Sequence, residues 1–130
     1  MARVVALVPD LLFGSRVQGS LRAAGHDVEL IGEHERLRDR LRDPAAPPVA
    51  VLVVDLTSDG RARAGLVATL SGAGELAGIR TLGFYSHVDT DTRELSEQAG
   101  FDMVVPRSRM AREGAELVTR LAGQAPPALR

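Results

Sequence analysis

Four side chains stand at the far ends of apolar runs, and their types together could handle an oxyanion and a hard cation. Asp10 follows Val4 to Val8 and Pro9, while Asp55 closes the run Val49 to Val54. Ser86 follows Arg80 to Tyr85, and Arg107 follows Met103 to Pro106. Two carboxylates can hold a divalent cation through oxygen, so Asp10 and Asp55 are the candidate metal ligands, for a weakly held Mg²⁺ at most. A hydroxyl and a guanidinium can grip phosphate oxygens, so Ser86 and Arg107 are the candidate phosphate contacts. Plainer roles stay open, because an acid at a strand end also caps a helix or braces the following loop. Ser15 and Arg16 could meet an anion near a helix start, although an exposed helix face explains them as simply.

These residues act together only if the chain brings them to one place. The runs Val4 to Val8, Val49 to Val54 and Met103 to Val105 are short and nearly continuous, as are the weaker Val28 to Ile31 and Arg80 to Tyr85. Strands buried on both faces by covering helices read this way. Helical spacing separates them: Phe13, Val17, Leu21 and Ala24, then a stop at Gly25; Leu37 with Leu41; Leu66 with Leu70; Leu95 with Ala99, then Gly100; and Met110, Gly114, Leu117, Val118 and Leu121. Asp89 or Asp91 caps the fourth helix, with Glu94 placed for a capping box on Asp91. Strand and helix alternate five times, which predicts an α/β domain with a doubly wound five-stranded parallel sheet and right-handed crossovers. In such a sheet ligands bind beyond the carboxyl ends of the strands, where all four chemical residues fall. Residues 1–122 form this domain, and Gly123 to Arg130, with two prolines and little to bury, read as a flexible tail.

Composition narrows the function. With 130 residues, 45% apolar and 25% charged, the chain fits one soluble domain, and its net charge of -1 gives no basic footprint for nucleic acid. Cysteine is absent, which removes disulfides, thiol nucleophiles and Cys-bound zinc. No run is long enough to span a membrane, and a cytoplasmic protein is expected. Glycine-rich dinucleotide and phosphate loops and the Gly-x-Ser-x-Gly elbow are missing. Ser86, His87 and Asp89 crowd one loop, where side chains seldom converge as a hydrolase triad must. His87 is the group best suited to titrate near neutral pH, and His26 and His34 lack metal-ligand partners at useful spacing. Gly25 to Gly32 faintly resembles cobalamin-binding domains, but Leu11, Leu12 and Phe13 stand where the axial His belongs.

Asp10, Gly25, the Val51 to Asp55 run, Ser86, and Gln98 to Val105 leading to Arg107 together resemble the receiver domains of two-component response regulators, the CheY-like members of the flavodoxin-like class. The resemblance covers about Arg3 to Leu121. It implies that Asp55 is the phosphoacceptor position, that Asp10 helps bind Mg²⁺, and that Ser86 senses the phosphoryl group. A Lys is usual where Arg107 stands, and two adjacent acids are usual where Pro9 and Asp10 stand. Ser108 replaces a common Pro, and Val104 a common aromatic. Arg keeps the charge of Lys but has a longer, planar fork. These departures imply a stand-alone, degenerate receiver and not an enzyme, signalling through an unidentified protein partner or a weak homodimer, without nucleic acid or membrane. A working Mg²⁺-dependent phosphoacceptor in a phosphorelay is the alternative, and a small flavodoxin-like nucleotide- or cofactor-binding protein is another. The segments Asp10 to Arg16 and His87 to Asp89 also resemble a set of stand-alone receiver-like proteins. The receiver partner face corresponds to about Thr90 to Leu121, where both charge signs are interleaved.

Overall fold

The computed structural model describes residues 2–86 and 89–123. Its elements run β1 (Arg3–Leu7), α1 (Leu11–Ala23), β2 (Asp27–Ile31), α2 (His34–Arg42), β3 (Val51–Asp55), α3 (Gly60–Gly72), β4 (Arg80–Tyr85), α4 (Thr90–Gln98), β5 (Met103–Pro106) and α5 (Arg107–Gly123). The strands form one parallel sheet in the order β2-β1-β3-β4-β5. The expected alternation and sheet are therefore present. Gly123 closes α5 instead of opening the tail, and residues 124–130 lie outside the described part.

The continuous apolar runs work as expected because each strand buries both faces. Val4 and Ala6 of β1 and Val51 and Val53 of β3 pack with Phe13, Val17 and Leu21 of α1 and Met110, Leu117 and Leu121 of α5. The alternate residues Val5, Leu7, Leu52 and Val54 face Leu37 of α2, with Leu66, Val67 and Leu70 of α3. Successive strand side chains point to opposite faces, so one five-residue run feeds two cores. The periodic residues of α5 named from the sequence are the ones it buries. Gly25 and Gly100, at φ 92° and 96°, turn the chain out of α1 and α4 in the left-handed region where a side chain is costly. Gly83 sits in β4 where a Cβ would come within 2.7 Å of Leu56 Cδ1 and 3.0 Å of Phe101, so β4 and its covering layer meet closely there.

One polar chain crosses the lower end of the α1/α5 core. The Ala2 amide donates to Nδ1 of the buried His26 at 3.2 Å, and His26 Nε2 lies 2.9 Å from Thr119 Oγ1. Thr119 Oγ1 donates to the Ala115 carbonyl at 2.8 Å, so it accepts from His26. The imidazole is thus neutral with its proton on Nε2. Burial holds its pKa below the ordinary value, and burial and the Arg63 charge do the same for His34. A group with a depressed native pKa binds more protons when unfolded, so stability is full above the ordinary histidine range and falls as pH drops through the native value. Urea unfolding between pH 7 and pH 5 should show this loss. His26→Gln should flatten the slope by up to about 1 kcal/mol per pH unit; an unchanged slope would remove His26 as its source.

Candidate functional site

The sheet order reverses direction between β1 and β3, which opens a crevice at their carboxyl ends. Register sets what reaches it. Leu7 pairs with Val54, Asp55 with Phe84, and Tyr85 with Pro106, so Asp10, Asp55, Ser86 and Arg107 all emerge along one edge. All four residues singled out from the sequence therefore share this edge. His87 lies outside the described residues, and the described residues include no group of three or more His, Asp or Glu side chains arranged to hold a metal.

Each acid is engaged by its own neighbourhood. Asp10 is the N-cap of α1: Oδ1 accepts from the Leu12 amide at 3.0 Å and the Phe13 amide at 3.1 Å. These are donors that a helix start leaves unsatisfied, so a short acid here secures the first turn. Its other oxygen faces Arg107 Nη2 at 3.6 Å. Asp55 is only 2% exposed, and its Oδ1 accepts from the Thr57 amide at 2.8 Å and the Thr57 hydroxyl at 2.5 Å. Beneath the same loop the buried Arg63 donates from Nη1 to the Asp55 carbonyl at 3.1 Å and to the carbonyl of Ser58. Arg63 thus ties down the loop backbone that follows β3, while the Asp55 carboxylate itself is held by Thr57. The loop reaches Asp59 at φ 48°, a left-handed turn that Asp tolerates, before α3 starts.

Arg107 links the two ends of the edge. Its guanidinium carbon stands 4.2 Å above the Phe13 ring, and that ring packs against Phe84 at 5.1 Å. A planar cation stacks well on an aromatic face. Ser86 and Arg107 line a common open cleft with Thr57, Ser108, Arg16 and Phe13. Thr57, Arg63 and the Phe13 platform were not visible from the sequence as site residues; a hydroxyl two residues past Asp55 is the one signal that could have marked Thr57. Beyond the cleft, Asp89 rather than Asp91 caps α4, accepting from the Thr92 amide at 3.0 Å and the Thr92 hydroxyl at 2.6 Å.

No family model and no curated protein matches the sequence. Solved structures do match in fold. A response regulator from Thermotoga maritima superposes with a TM-score of 0.76 at 16% identity, covering 95% of this chain and 99% of its own. The Mn(2+)-bound form of response regulator Rcp1 gives 0.76 at 14% identity, with 98% and 100% covered. A CheY-like protein (tadZ) from Pseudomonas aeruginosa gives 0.69 at 22% identity, with 99% of each chain covered. The fold is that of response-regulator receiver domains. No described helix is long and apolar enough to cross a membrane.

Proposed function

We propose that this protein is a degenerate receiver-like signalling module that acts through protein contacts and carries out no catalysis of its own. The observation that carries the reading is Arg107, which stacks on Phe13 and faces Asp10. A receiver that takes a phosphoryl group with Mg²⁺ needs its acids free to share the ion. Here Asp10 spends one oxygen on two helix amides and turns the other toward a guanidinium. Pro9 contributes no second acid, and Asp55 is tied to Thr57. Hard cations prefer several oxygens of low competition, so Asp10 and Asp55 fit Mg²⁺ poorly and would hold it weakly. The Mn(2+)-bound Rcp1 has the same fold, which keeps a weak divalent site consistent with the architecture.

The contact surface follows from the charges on α4 and α5. Arg93 pairs with Glu97 at 3.1 Å and Arg109 with Glu113 at 3.0 Å, each one helical turn apart. Glu94, Arg112, Glu116 and Arg120 are exposed beside them. Such a mixed patch can meet its own copy across a two-fold axis or dock a complementary partner, with orientation and on-rate gaining more than affinity. Sedimentation velocity at low and high salt should detect a weak, salt-sensitive dimer that Arg112→Glu disrupts. A monomer under all conditions, with no partner recovered by pull-down that Arg112→Glu releases, counts against this surface.

Incubation with acetyl phosphate and Mg²⁺, read by intact-protein mass spectrometry, tests the degenerate character. Little or no adduct is expected. A stoichiometric adduct of one phosphoryl group, lost in Asp55→Asn, would make the protein a working phosphoacceptor instead.

A further inference from the structure

Leu11 and Leu12 are the large apolar side chains that the described residues leave exposed, at 81% and 82%. Scattered apolar side chains on a surface are ordinary, but an adjacent pair beside a groove is not. The groove runs between α1 and α5, the two helices that cover one face of the sheet. The buried Phe13 and Val17 of α1 and Met110 of α5 form its floor. Its α5 wall stays low because Ala111, Gly114 and Ala115 stand there, and a Cβ on Gly114 would press within 3.0 Å of Met110 Cε. The space has a volume of about 120 Å³, room for one aliphatic side chain. Leu12, Arg16 and Ser20 recur every four residues, so Leu12 heads the row whose other members rim the groove. None of Asp10, Asp55, Ser86 and Arg107 lines it.

Charge decides what could cover this face. Helix α1 has no acid along its 13 residues and carries Arg16 and Arg22, both exposed. Arg16 is the charged group in the lining of the groove. On the outer side of α5 the exposed Arg112 and Glu116 offset each other, so the surplus on this face belongs to α1. A second copy packed here across a two-fold axis would set Arg16 and Arg22 against their own counterparts, and like charges in contact reject a partner. Residues 124–130, which follow α5, hold no acid and include Arg130, so they complement α1 no better.

We propose that Leu11, Leu12 and the groove between α1 and α5 dock an acidic amphipathic helix of a partner protein. An aliphatic side chain of that helix fills the groove, its neighbours cover Leu11 and Leu12, and its Asp or Glu side chains pair with Arg16 and Arg22. Apolar burial supplies the affinity, and the ion pairs at the rim set the sign and orientation of the partner. The proposal rests on the reading of the protein as a module that acts through protein contacts, and it adds α1 to the surfaces which that reading uses.

Selection from a phage library of random peptides, each about four helical turns long, tests this on the full chain. Soluble Leu12→Ser competes in every round, so that only peptides using this face are retained. The retained peptides should be acidic, with two or more aliphatic residues three or four positions apart. Fluorescence anisotropy with a synthetic copy of one of them should show binding about tenfold weaker in Leu12→Ser and in Arg16→Glu. Arg36→Glu, on the α2 side of the sheet, makes the same charge change and should bind as the wild type does. Leu12 and Arg16 are exposed, so both variants keep the fold, which ¹⁵N spectra verify. Retention of no peptide, retention of neutral or basic ones, or equal weakening in Arg36→Glu would overturn the proposal. Sedimentation of Arg112→Glu is a separate measurement, so this face and the charged surface of α4 and α5 can fail independently.

Discussion

The contact of Arg107 with Asp10 across the Phe13 ring is the interaction on which the character of the sheet edge depends. It joins the start of α5 to the start of α1, the two helices that cover one face of the sheet. A cation–π contact is worth about 0.5–1 kcal/mol at an exposed site, and an exposed ion pair about as much or less. Neither would hold a fold together. Both are enough to fix where one guanidinium stands, because Phe13 is itself anchored on Phe84 in the core. The consequence is electrostatic: the edge that carries two acids is answered by a cation at its mouth.

Asp55 shows the same logic one strand over. An acid that is 2% exposed needs donors, and Thr57 supplies two of them, while Arg63 braces the backbone carbonyls of the same loop. Leaving such a group unpaired costs far more than the pairing gains. The β3–α3 loop is shaped around that requirement, down to the left-handed Asp59 that lets α3 begin at Gly60. Gly60 itself must stay small, since a Cβ would lie 2.6 Å from Thr92 Cγ2 of α4. Loop shape and helix packing are thereby coupled to the carboxylate.

The architecture was legible because its signals are local. Val51 to Val54 reads as a doubly buried strand, Met110 to Leu121 as one helix stripe, and Gly25 and Gly100 as helix stops, and each holds in the structure. The gathering of Asp10, Asp55, Ser86 and Arg107 also followed, since position at a strand end is a property of the chain order. What those residues touch did not follow. Phe13 reads as a core residue of α1, and only the tertiary fold reveals its other face as a platform for Arg107. Arg63 looks like one more solvated helix charge until the turn at Asp59 folds it under the loop. Asp89 and Asp91 were equal candidates as caps because the choice rests on where the helix starts, a difference of two residues.

If Arg107 sets the charge at the edge, removing it should release Asp10 to share a cation with Asp55. Isothermal titration of Mg²⁺ into wild type and Arg107→Ala measures this most directly. Binding at least several-fold tighter in Arg107→Ala, and lost again in Arg107→Ala with Asp55→Asn, is the predicted result. Equal or weaker binding in Arg107→Ala would contradict the role given to this residue.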